Sequence, residues 1–170
     1  MTPQKKFTRF VFALLLALSA LGISTSTALA DQPVKSEILW PAEFDVTDVC
    51  QFPFHLSGDV HIDATDFYDH SGTLTKTKWH VVEQDTFTAN GKTLVGMPFT
   101  FNMEWTYDSE GNWTQFYSDG VAEKVPLPDG SLFISAGRID WLTHPGVMYV
   151  ISADKGNPGD VAAFCAALAP

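Results

Sequence analysis

From Phe99 to Tyr107 every second residue is bulky and apolar. Phe99, Phe101, Met103, Trp105 and Tyr107 alternate with Thr100, Asn102, Glu104 and Thr106. Successive side chains of an extended chain point to opposite faces, so this period of two predicts a strand that hides one face from water. The same period recurs along the chain. Phe52, Phe54 and Leu56 share one side of 50–62, where Gly58 marks a bend or bulge and Val60 and Ile62 carry a new face. Over 73–82, Thr75, Thr77, Trp79 and Val81 oppose Lys76, Lys78 and His80. Further strands are predicted over 113–118, 131–142 and 147–152.

Turn sequences separate these pieces: 69–72, 89–92, 108–112, 125–130 and 143–146. Asn90-Gly91 is the strongest signal, because both residues tolerate the positive φ of a two-residue hairpin. Strands joined in series by turns predict an antiparallel up-and-down meander. No strand–helix–strand rhythm is present to build a parallel sheet. One helix is predicted over 160–168, capped by Asp160, with Val161, Phe164, Cys165 and Leu168 on one side. Seven or eight strands in about 110 residues must curl shut or split into two sheets. Short connections favour the first. The expected fold is therefore all-β, a meander closing into a barrel of about eight strands with a short C-terminal helix. The preceding 31–47, with Pro33 and Pro41 and no sustained period, is expected to be an N-terminal arm, held as a leader strand or only by Trp40. The barrel domain is then 48–170.

The first 30 residues change the picture of where this domain works. Lys5, Lys6 and Arg9 precede a mostly apolar run from Phe10 to Ile23, too short to span a bilayer, and Ala28-Leu29-Ala30 is a small-x-small cleavage triplet. This pattern predicts a signal peptide cut after Ala30 and a secreted chain of 140 residues, with no membrane attachment after cleavage. Cleavage removes three bases and no acid, moving the formal charge from −10 to −13. Such a surface repels phosphate backbones and anionic membranes, which argues against nucleic-acid binding. The only cysteines, Cys50 and Cys165, lie near the two ends of the folded region in an oxidising compartment. They predict a disulfide, with buried free thiols as the alternative.

Four segments together, "DVCQFPFHLSG", "TANGKTL", "PDGSLFISAGRI" and the Cys of "FCAAL", resemble small exported bacterial proteins of actinobacterial type. Those share a Cys-x-Phe-Pro element, an Asn-Gly-Lys hairpin, an Asp-Gly-Ser strand start and a Cys near the C-terminus. The resemblance covers about 48–168. It implies a small β-barrel closed by a terminal disulfide, and no activity. The Gly-x-Trp of lipocalin first strands is absent, since no Trp follows Gly58.

Candidate chemistry is sparse. His55, His61, Asp63, Asp66, Asp69, His70 and His80 crowd one region. They read as an exposed polar face, with a metal held by His61 and Asp63 as the weaker alternative. Alternation sends Glu104 and Asp140 towards solvent, and an Arg138 turned inward at the Gly137 bend is the weaker alternative for that residue. No nucleophile elbow, phosphate loop or dinucleotide fingerprint occurs, and no cofactor is called for. The aromatic face remains: Phe99, Phe101, Met103, Trp105 and Tyr107, with Trp79 from the neighbouring strand. A small barrel is either filled by such side chains or holds one small ligand among them. The expected function is binding of a small apolar or aromatic molecule in the interior. A filled-core module acting through its surface is the alternative. An isomerase or cyclase is a third, and it needs an ionisable side chain such as His55 or Arg138 in the cavity.

Overall fold

A computed structural model describes residues 32–147 and 149–170. The signal peptide expected over 1–30 lies outside them. The chain forms one antiparallel sheet of eight strands: β1 (Val34–Val46), β2 (Phe54–Tyr68), β3 (Leu74–Ala89), β4 (Lys92–Val95), β5 (Phe99–Tyr107), β6 (Trp113–Pro126), β7 (Leu132–Asp140) and β8 (Lys155–Asn157). A single turn of 3-10 helix, Trp141–Thr143, follows β7, and α1 (Val161–Leu168) ends the fold. Each strand pairs with the next except β4, which pairs only with the last residues of β3, while β5 pairs with the earlier part of β3. The two strands are separated by Gly96–Pro98, where the Gly96 N–H donates to the Asp85 carbonyl (2.7 Å) and the Met97 N–H to the Lys124 carbonyl (2.8 Å).

The meander and the helix follow the sequence pattern. Asn90 (φ +52°) and Gly91 (φ +74°) make the β3–β4 hairpin, both in the left-handed region as a two-residue turn of this kind requires. Asp160 caps α1 through its carboxylate, which accepts from the Ala163 N–H (2.9 Å).

Of the two readings of 31–47, the leader strand is the one found: it holds β1, a 13-residue strand paired with β2 along its whole length from Val34↔Asp66 to Val46↔Phe54. Its lack of alternation reflects exposure, since most of it faces water on both sides. The strand expected over 147–152 is corrected: its described residues form no ladder and serve packing instead, with Ile151 and, just beyond, Ala153 buried. Gly58 makes no bulge. Leu56, Val60 and Ile62 stay on one buried face through it.

The strand order begins at β1 and ends at β8, with no ladder between them among the described residues. The sheet nevertheless curls until its ends face a common interior. Along that line runs the segment after the 3-10 turn. The Tyr149 ring packs on Phe44 of β1 (centroids 6.1 Å) and Phe54 of β2 (6.5 Å). The Ala153 N–H donates to Ser135 Oγ of β7 (3.0 Å), and the Asp154 N–H to the Arg138 carbonyl (2.9 Å).

One end of the interior is solid. Phe54, Phe87, Phe133 and Phe164 meet there with ring centroids 5.1–5.9 Å apart, and Leu56, Val125 and Leu168 are fully buried beside them. Helix α1 supplies Phe164 and Leu168 to this core. It is tied down by the Cys50–Cys165 disulfide (Cα–Cα 5.6 Å) and by Asn90, whose Nδ2 donates to the Leu168 carbonyl (2.9 Å). A bridge between residues 115 apart in sequence restricts the unfolded chain by about 4–5 kcal/mol in the entropic account.

Candidate functional site

The strand registers stack inward-facing residues in tiers above the phenylalanine core. Leu56 is paired with Phe87 in the core tier; next come Gly58 with Asp85, Val60 with Glu83, Ile62 with Val81 and Ala64 with Trp79. On the other side of β3, Val81 is paired with Phe101 and Trp79 with Met103. Across β6 and β7, Glu123 is paired with Ser135, Gly120 with Gly137 and Ser118 with Ile139. The tiers above the core do not fill. They border a partly open cavity of about 150 Å³, lined by residues of β1, β2, β3, β5, β6 and β7 and by Trp141, Tyr149 and Val150. Trp40, on its border, is half exposed.

The inner end of this cavity is acidic. Glu83, Asp85 and Glu123 line it, and Asp85 and Glu123 are 1% and 0% exposed. Each is placed there by a backbone feature. Glu83 and Asp85 continue the inward face of β3 after Thr77, Trp79 and Val81. Asp85 fits because its partner is glycine: a Cβ on Gly58 would stand 2.0 Å from Asp85 Oδ1. Glu123 turns inward because β6 carries a bulge between Val121 and Glu123, which inserts Ala122 and shifts the alternation by one. The Tyr149 hydroxyl donates to Glu123 Oε1 (2.9 Å). No donor reaches Asp85 Oδ1 or Glu123 Oε2.

Burial governs how these groups titrate. It pushes the Glu83 carboxyl up to about 8, with the charge of Asp85 adding to the effect. It raises Asp85, partly offset by hydrogen bonding to Glu123 and Glu83. Glu123 is held well above the carboxylate range, by desolvation first and by the Asp85 charge second. Tyr149 is raised for the same two reasons, with the Glu123 charge the larger electrostatic contributor. The cluster titrates as a unit and keeps protons at neutral pH. Those protons let adjacent carboxyls hydrogen-bond to one another.

The residues expected to bind a ligand divide. Trp79, Phe101 and Met103 line the cavity. Phe99 is buried outside it, its ring stacked on Phe101 (6.0 Å). Trp105 belongs to an aromatic stack, with Trp79 edge-on (4.7 Å) and Phe116 parallel (4.9 Å), and Trp141 continues it beyond Phe116 (5.8 Å). The Tyr107 hydroxyl is 3.4 Å from Thr77 Oγ1.

Neither His55 nor Arg138 enters the cavity. His55 Nδ1 lies 3.0 Å from Asp45 Oδ1 on an exposed face, and the Arg138 guanidinium sits 3.6 Å over the Tyr117 ring. Nor do the remaining polar residues converge. His61 Nε2 is 2.8 Å from Glu37 Oε1, and Glu104 pairs with Lys78 (3.0 Å), which holds its carboxyl below the usual range despite some desolvation. Among the described residues no three His, Cys, Asp or Glu side chains are grouped so as to hold a metal ion. The acids that do meet were absent from the expected site. The β3 alternation carried the signal for two of them, and a bulge concealed the third.

The chain matches no family model, no curated protein and no solved structure.

Proposed function

We propose that the protein binds a small, mostly apolar molecule inside its curled sheet. The observation that carries this reading is the 150 Å³ cavity above a solid core, with aromatic walls and a few polar groups at one end. Binding sites for small molecules have this make-up, and an apolar cavity of about this volume accommodates a ring the size of benzene. In this reading the sheet works as a barrel whose seam is the 149–153 segment. The protein acts outside the cell, as one of the small exported bacterial proteins its motifs resemble; a disulfide is stable in that compartment. Titration with small aromatic and aliphatic compounds, read by the fluorescence of Trp79 and Trp141 at the cavity wall, tests it. Saturable quenching that weakens in Met103→Trp, which fills the space, supports binding. No response to any compound rejects it.

Glu83 favours a second reading, an isomerase or cyclase. A carboxyl with a pKa near 8 in an apolar cavity is suited to giving and taking a proton at neutral pH. Turnover of a bound compound, lost in Glu83→Gln through kcat rather than KM, distinguishes the two.

A further inference from the structure

We infer that the ligand is a small amine, bound as its ammonium form with the nitrogen among Glu83, Asp85 and Glu123 and its apolar body between Trp79, Phe101 and Met103. This rests on the binding reading above and specifies its ligand class.

The cavity is polarised along its length. Its inner end carries three carboxyls, and no Lys, Arg or His is among the described residues lining it. Two carboxyl oxygens, Asp85 Oδ1 and Glu123 Oε2, have no donor although their side chains are at most 1% exposed. Buried acceptors of this kind are costly unless a donor reaches them. Apart from the protons the carboxyls share among themselves, the protein has one donor here, the Tyr149 hydroxyl, and Glu123 Oε1 already takes it. An ammonium group brings two or three N–H donors on a single atom, together with the charge that the cluster lacks. An alcohol brings one donor and no charge. A carboxylate or phosphate would add negative charge to a site that has no base to receive it. A metal ion is disfavoured because the three acids are not grouped for coordination. The walls fit the same guest, since aromatic faces attract cations and the apolar tiers take a hydrocarbon body.

Binding is then an exchange. The empty cluster holds protons between its carboxyls; the arriving ammonium replaces them as donor, and the displaced proton leaves to solvent. The groups facing the nitrogen are Glu83 and Asp85 from β3, Glu123 from β6 and Tyr149 from the seam segment. The residues lining the cavity from β1, β2, β5 and β7 are not titratable. Amine affinity should therefore rise with pH between about 6 and 8, while the affinity of a neutral analogue stays flat.

The test uses three probes of one shape, benzylamine, benzyl alcohol and toluene, titrated calorimetrically into the disulfide-intact protein at pH 6 and pH 8. Benzylamine should bind at least about tenfold more tightly than either analogue at pH 8. The preference should narrow at pH 6, and titration in two buffers of different ionisation enthalpy should reveal proton release. Glu123→Gln should abolish the preference while toluene binding persists. If that variant does not fold, the less buried Glu83→Gln should reduce the preference in the same direction. Equal binding of the three probes overturns the amine inference and leaves the binding reading standing. Failure of all three to bind overturns both.

Discussion

The two halves of the interior are built from the same strands and behave as opposites. Below Gly58 and Asp85, four phenylalanines, Leu56 and Leu168 close up without space, and a helix latched by a disulfide seals the end. Above that level the same β3 face carries Asp85, Glu83, Val81 and Trp79, and the strands around it leave a cavity. Rings from four different elements interlock in the lower half. In the upper half the large rings stack along the sheet, as Trp105, Phe116 and Trp141 do, leaving the middle open. Bulk alone does not fill the space beside the sheet. What matters is whether the rings meet across the interior or lie along its wall. Stability is concentrated in one half, and the chemistry is free to sit in the other.

Removing a ring from the lower half should have the largest effect. Phe164→Ala deletes a fully buried ring that touches Phe54, Phe87 and Phe133, and it should destabilise the fold by about 3–5 kcal/mol in urea unfolding. A smaller loss would mean that the base is less tightly packed than the upper half.

Next comes pH, which reaches the interior through the acid tier of the upper half. The folded-state pKa of Glu83 is raised from 4.5 to about 8, so its contribution is complete below the unfolded value and is lost as pH rises through the folded one. Thermal stability should fall between about pH 5 and pH 8 by roughly 1 kcal/mol per pH unit, and Glu83→Gln should flatten that slope. A stability that rises over this range would contradict the assignment of retained protons to the acid tier.

Gly58→Ala probes the boundary between the halves. Its methyl would collide with Asp85 Oδ1, and the side chain must swing away, at a cost of about 1–3 kcal/mol. Combined with Asp85→Ala, most of that cost should disappear in a double-mutant cycle. The smallest effect is expected at the cavity wall. Met103→Ala enlarges a space that already exists, and it should cost about 1 kcal/mol while altering ligand affinity more than stability.

Local chemistry wrote the framework of this fold plainly. Asn90-Gly91 specifies its hairpin and Asp160 its helix, and the strict alternation of 99–107 specifies a strand, because each depends on neighbours a few residues away. β1 was harder to read. A strand exposed on both faces has no apolar period, and only its partner β2 organises it. The site was half visible. Alternation from Trp79 through Val81 carries straight on to Glu83 and Asp85, so those two acids stand on the inward face by sequence alone. Glu123 does not, because the bulge at Ala122 depends on pairing with β7 and leaves no mark in the residue pattern. Tyr149 was hidden differently. Its segment has the composition of a strand, yet in the fold it serves as packing along the seam.

Among the described residues β1 pairs with β2 alone, and Leu39 is 75% exposed, so the outer backbone groups of Val34–Trp40 can accept a strand from another molecule. Glu37, Glu43 and Asp45 on the same strand give approaching copies like charges to overcome. Like charges along that strand thus work against two copies pairing through it.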